Sequence, residues 1–180
     1  ASRKTEADRI TADAHWDYAE DKPSGASWNL TTRRAGAGLK YDYFVSERWY
    51  TLATSRALGD AFADLSLRIT AGAGVGYTVI DTEKTTLLTE VGLSYFDEDY
   101  ISSVPSKDYI AARVAYKLTH EISDTTKLNH AVEAYPSLED KNDVYLQMRT
   151  EFVTSLTDRM IASLTWIMDY DNTPSPSGIA

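Results

Sequence analysis

Hydrophobic and polar residues alternate along most of the chain. Between residues 65 and 79 the odd positions, from Leu65 to Val79, are apolar or aromatic, whereas the even positions hold Ser, Arg, Thr and Gly. A period of two places successive side chains on opposite faces of a β-strand. The same period recurs in the segments 10–18, 35–43, 87–95, 110–118, 128–134, 144–152 and 160–168, and less clearly in 49–58. The pattern predicts about nine strands.

The connections between these segments alternate between short and long. Short polar turns lie at 45–48, 81–84, 122–125 and 155–158, and longer links at 20–27, 59–64, 97–107, 136–143 and 171–177. The five prolines all lie in the longer links, where they remove no ladder hydrogen bond. Long sequential strands with short turns on one side and longer loops on the other are typical of outer-membrane barrels. We therefore predict an all-β fold, an antiparallel up-and-down meander forming a transmembrane-type β-barrel.

Alternation alone does not tell whether the apolar face points inward, as in a soluble barrel, or outward to lipid. Three features favour the outward orientation. The polar face carries rows of glycine that suit a crowded lumen, and it mixes charges of both signs. Aromatic residues concentrate near strand ends, as in interfacial girdles: Trp16, Tyr18, Tyr41, Tyr43, Phe44, Trp49, Tyr50, Tyr77, Tyr95, Phe96, Tyr116, Tyr135 and Tyr170. Six charged residues are predicted to face the lumen as a possible pore lining: Arg34, Lys40, Arg68, Glu90, Arg113 and Arg149.

The average composition does not show that the strands have one apolar and one polar face. The 180 residues are 43% hydrophobic, as in an ordinary globular protein, and the net charge is −9, from 18 Lys and Arg against 27 Asp and Glu. A negative chain is a poor generic nucleic-acid binder, so we expect no nucleic-acid partner. The absence of cysteine excludes disulfides, thiol catalysis and thiolate metal sites.

Reactive residues are few, and we predict no catalytic residue, metal site or cofactor. His15 lies between Asp13 and Asp17, where a base and its orienting carboxylate are conceivable, but a lumen salt bridge explains the trio equally well. His120 and His130 lie far from His15 in the sequence, and the three histidines do not have the spacing of metal ligands. The acidic links at 97–99 and 139–143 leave open weak calcium binding, with solvated loops the favoured interpretation.

Several segments, in their order and spacing, resemble the DUF481 family. They are Leu39–Tyr50, Ala71–Tyr77, Ile80–Thr85, Glu90–Tyr95, Tyr135–Leu138 and Asp169–Pro174. The resemblance covers nearly the whole chain, and it is to salt-induced outer-membrane proteins of Gram-negative bacteria.

The resemblance implies a signal peptide, an outer-membrane barrel and no enzymatic activity, with outer-membrane lipid and the barrel-assembly machinery as partners. Family members begin with further strands and finish on a strand ending in an aromatic residue. We therefore expect residues 1–180 to form a single β-barrel domain, truncated at both ends, and part of a barrel of about twelve strands. The expected function is a structural or narrow-channel role. The alternatives are a soluble β-barrel that binds a small apolar ligand and a barrel hydrolase that uses His15.

Overall fold

A computed structural model of the chain describes residues 2–22, 29–157 and 159–173. These residues form one antiparallel sheet whose strands follow each other in sequence order. The strands are β1 (Ser2–Lys4), β2 (Asp8–Asp21), β3 (Asn29–Phe44), β4 (Trp49–Asp60), β5 (Leu65–Asp81), β6 (Thr85–Tyr100), β7 (Lys107–Ser123), β8 (Thr126–Pro136), β9 (Val144–Thr157) and β10 (Met160–Asp171). The predicted all-β meander is confirmed.

The strand count differs from the prediction by one. The nine segments with a period of two correspond to β2–β10, whereas β1 is three polar residues long and too short to show alternation. The described residues contain no helix long and apolar enough to cross a membrane. The links predicted at 20–27 and 171–177 and the turn at 155–158 lie partly outside the described residues.

The connections after the odd-numbered strands lie at one end of the sheet, and those after the even-numbered strands lie at the other. The end that holds the short connections after β1, β3, β5, β7 and β9 is called the turn end, and the opposite end the loop end. At the loop end Asp64, whose φ of 57° suits a short polar residue, accepts hydrogen bonds from Ser102 at 2.9 Å and 2.5 Å. This contact ties the connection after β4 to the connection after β6.

The sheet is strongly sheared and curled. One row of paired residues starts at Tyr43, beside the turn end of β3, and reaches Tyr170, beside the loop end of β10. The row runs Tyr43, Thr51, Val75, Val91, Val114, Ala134, Leu146, Tyr170. Such a stagger is the geometry that tilts strands around a barrel axis.

Curling brings distant strands together across the concave face. Arg34 on β3 bridges Asp169 on β10 at 2.6 Å, and Arg56 on β4 donates to Gln147 on β9 at 3.2 Å. Within the described ranges β1 and β10 do not pair, so the sheet is a half-barrel with an open seam. The predicted barrel is thus present as a curled wall rather than a closed cylinder.

The apolar face of the alternation is the convex one. On β6, for example, Val91, Leu93 and Tyr95 are 53%, 55% and 44% exposed, whereas Glu90, Ser94 and Phe96, at positions of the other parity, are buried on the concave face. The convex face carries no Asp, Glu, Lys or Arg along stretches that are about nine residues long on most strands, the length a membrane-spanning strand requires. These stretches are 10–18, 35–43, 49–57, 67–77, 87–95, 110–118, 128–134, 144–154 and 162–170. We call this surface the convex band.

Glycine on the concave face makes room for large neighbours. A Cβ added to Gly76 would overlap the ring of Tyr50, which is 2% exposed and stands over that position. Gly74 and Gly92 are paired with each other, and a Cβ on either would overlap the backbone of the partner strand. Small residues therefore let the buried tyrosine and the charged side chains fill the interior.

Candidate functional site

The concave face holds all six charged residues that the sequence predicts to face a lumen. Arg34 and Lys40 lie on β3, Arg68 on β5 and Glu90 on β6, and Arg113 and Arg149 lie on β7 and β9. The side chains of Arg34, Lys40, Arg68, Glu90 and Arg113 are shielded from solvent, while that of Arg149 is about half exposed. Whether these residues line a conducting pore remains a prediction.

Glu90 lies at the centre of one polar network on the concave face. Its carboxylate accepts hydrogen bonds from Lys40 Nζ, from Arg113 Nη1 at 2.8 Å and from Tyr50 Oη at 2.7 Å. The donors come from β3, β7 and β4, so a single carboxylate on β6 joins four strands. Because Glu90 is only 6% exposed, its charge is stabilised by these cations rather than by water.

A second network lies toward the loop end around Arg68. Its guanidinium donates to Glu98 at 2.7 Å and to Asp171 at 3.2 Å, and it lies 4.5 Å from the centre of the Tyr145 ring. Asp171 belongs to β10 and Tyr145 to β9, so Arg68 spans the concave space from β5. A stacked cation with two carboxylates is a strong cross-link in a shielded setting.

Aromatic residues close the interior beside this network. Phe96 stacks on Tyr109 at 4.9 Å between ring centres and meets Tyr135 edge-on at 5.2 Å. Together with Tyr145 and Ala111 these residues form the buried hydrophobic cluster of the half-barrel. The interior at this level is therefore filled by side chains.

The prediction of interfacial girdles was wrong for four of the aromatic residues that the sequence assigned to them. Phe44, Tyr50, Phe96 and Tyr135 share the concave face with Asp42, Leu52, Glu90 and Glu133, and do not lie on the convex surface. Their parity carries the signal: Phe96 is six residues from Glu90 and thus on the same face of its strand. Nearness to a strand end misled the prediction, because successive side chains alternate between the two faces up to the end of each strand.

Between these networks lies an open cavity of about 510 Å³. It is lined by Lys40, Glu90 and Arg113 on one side and by Lys117, Asn129 and Arg149 on another. Charged side chains lie among apolar ones on the walls, and most of the charges are paired.

The three histidines lie on three different strands, β2, β7 and β8. The His15 ring packs over Gly36, and its neighbour Asp13 pairs with Arg56 at 3.8 Å. His120 Nδ1 shares a hydrogen bond with Thr85 Oγ1 at 2.8 Å. His130 contacts Tyr116 at 2.7 Å and Thr150 at 2.9 Å on the convex face. Among the described residues no three His, Asp or Glu side chains converge as a metal site.

A family model with the description "Protein of unknown function, DUF481" matches residues 1–179. No curated protein and no solved structure matches the chain.

Proposed function

The chain belongs to the DUF481 family, and from this premise and the geometry of the two faces we propose that it forms the wall of an outer-membrane β-barrel. Its role is structural or that of a narrow channel, and it is not catalytic. The observation that carries the proposal is the convex band, which is free of charge on all nine long strands. In water such a surface is a strong aggregation hazard, whereas lipid makes it favourable.

The flanks of the convex band support a membrane setting. Near the turn end, Tyr41, Tyr43, Trp49 and Tyr77 are exposed or half-buried on the convex face, and the Trp49 and Tyr77 rings are 4.8 Å apart. Toward the loop end the exposed aromatic residues are Trp16, Tyr18, Tyr95 and Tyr170. Amphipathic rings at both levels match the aromatic girdles of membrane barrels. Charge resumes directly beyond them, at Glu20, Arg33, Asp81 and Asp97.

The concave face supports a narrow lumen rather than an open pore. The Glu90 and Arg68 networks cross the interior, and the aromatic cluster around Phe96 fills part of it. Lumen side chains held by such cross-links narrow the space around the cavity of about 510 Å³. The conducting path, if the barrel has one, passes through the cavity between the two networks.

The same concave face disfavours the two alternatives. A soluble barrel for an apolar ligand needs an apolar interior, yet this interior holds Glu90, Arg113 and Lys40. A hydrolase built on His15 needs a nucleophile within hydrogen-bond reach, and His15 packs on Gly36 beside an Asp13 already paired with Arg56. Outer-membrane lipid and the barrel-assembly machinery are the partners that the proposal requires. Because the chain resembles salt-induced proteins, the proposal includes salt stress as the condition in which the protein acts.

Extraction behaviour tests the proposal. We expect the chain, expressed within its full-length protein, to sediment with the membrane fraction and to enter solution only with detergent. We also expect the folded form to migrate differently from the heated form in gel electrophoresis, because closed barrels resist detergent unfolding. Planar-bilayer recording should then show small conductance or none. A freely soluble, monodisperse protein without detergent would contradict the proposal.

A further inference from the structure

The charge of the cavity is opposite to that of the whole chain. Seven Lys and Arg residues line it against five Asp and Glu residues, whereas the chain carries a net charge of −9. The excess acid therefore lies outside the cavity lining. One of the lining cations, Arg68, is paired with Glu98 and Asp171 beyond the lining, so among the described residues the unpaired positive charge of the cavity is that of Lys117.

Lys117 has no counter-charge in this cavity. Within the part of the chain that the structure describes, its ammonium donates no hydrogen bond and forms no ion pair. The positive charges of Arg9 and Lys40 act on it, and the carboxylates of Asp42 and Glu90 act only from beyond contact distance. Those carboxylates are already engaged, Asp42 by Arg9 at 2.8 Å and Glu90 by Arg113 at 2.8 Å.

Arg149 provides the second arm of the site. Lys117 is paired with Ala131, and Ala131 is paired in turn with Arg149, so the two cations flank one methyl group on the same face. Two strand spacings separate their backbones by roughly 10 Å, which leaves room for a small ion between the long side chains. Of the five N–H donors of Arg149, one donates within the described residues, to Glu151 at 3.3 Å. Asn129, the next concave residue along β8, lies at the rim of this gap, where its amide donates to Glu151 at 3.4 Å.

We propose that the cavity binds a small multivalent oxyanion, held between Lys117 and Arg149 above Ala131. Two cations with unused donors, facing each other across a small residue, match the geometry of a phosphate or sulfate group. Chloride would bind only one of the two cations, Lys117 or Arg149. The site gives the lumen an anion preference, which the average charge of the chain would not suggest. The proposed anion site rests on residues of the concave face, and it does not depend on whether the convex face lies in a membrane.

Calorimetric titration with inorganic phosphate tests the site. The full-length protein would be titrated in detergent micelles at ionic strength held constant with chloride. We expect saturable binding to the wild type, and an affinity weaker by about tenfold or more in Lys117→Gln, the loss of one charge-assisted contact. Lys117→Arg should keep the affinity within a small factor. Lys127→Gln is the matched control, because Lys127 also lies on the concave face but is paired with Glu121 at 2.6 Å.

Two outcomes would overturn the site. One is equal phosphate affinity in Lys117→Gln and the wild type; the other is a wild-type signal that does not saturate. Lys117 makes no ion pair within the described ranges, so its substitution leaves the Glu90 and Arg68 networks intact, and folding is checked by the unchanged shift in gel mobility on heating. A protein that proves freely soluble but still binds phosphate in this way would contradict the proposed function and leave the anion site standing.

Discussion

Replacing Val91 by arginine should destabilise the folded chain in lipid vesicles by about 2–4 kcal/mol, the cost of a cation at the bilayer midplane of a barrel. Val91 is 53% exposed at the centre of the convex band, and its paired neighbours Val75 and Val114 are exposed as well. No carboxylate lies on the convex band to receive the new charge. Denaturant titration of the variant in vesicles measures the loss.

The control lies on the same face of the same strand. Asp99 is exposed beyond the end of the convex band, so Asp99→Arg should cost only about 0–1 kcal/mol at the interface. If water rather than lipid covers the convex face, Val91→Arg is an ordinary surface substitution within about 0.5 kcal/mol of the wild type. Equal stability of the two variants would therefore contradict a lipid-facing surface.

Substitution of Glu90 by glutamine should be the most damaging change on the concave face. It removes the carboxylate that Lys40 and Arg113, which is 3% exposed, share, so Arg113 is left with Glu133 at 3.4 Å and Lys40 with Asp42 at 3.4 Å. The buried positive charges are then less well neutralised, and breaking a buried ion pair from one side costs about 3–5 kcal/mol. Equilibrium unfolding of Glu90→Gln in detergent or vesicles gives the value.

Glu151→Gln is the matched control for this change. Glu151 pairs with Arg149 at 3.3 Å, but the Arg149 side chain is 54% exposed, so water replaces much of the interaction. The expected loss is below about 1 kcal/mol. Similar losses for Glu90→Gln and Glu151→Gln would show that the central network contributes no more than a surface pair. The double variant of Lys40 and Glu90 should recover part of the loss, since the two residues share one network.

The sequence was informative where one face of a strand differs from the other. Period-two alternation identified all the long strands and assigned Arg34, Lys40, Glu90 and Arg113 to one face, because parity is fixed by the pleat. The exposed convex position of the apolar face, by contrast, depends on how the sheet curls. Alternation is the same for either direction of curling, so only the glycines, the mixed charges and the aromatic residues near strand ends indicated it.

The cross-strand partners were beyond sequence reasoning. Arg34 and Asp169 are 135 positions apart, and their contact follows from the accumulated stagger of seven strand pairs. A register shift of one residue would turn each of these side chains to the other face. The cluster of Phe96, Tyr109, Tyr135 and Tyr145 was missed for the same reason, since it joins four strands that no local pattern relates.

The central claim is that lipid covers the convex band and water reaches the concave face. The chain contains no cysteine, so single cysteines placed in turn along 85–100 can carry a spin label without a competing site. In vesicles, the collision rate of the spin label with dissolved oxygen should be highest at 87, 89, 91, 93 and 95. Its collision rate with a water-soluble nickel reagent should be higher at those positions between them where a label fits. The lipid signal should end at Asp97 and Asp99. A water-accessible signal at 91 and 93 as strong as at 99 would contradict the claim.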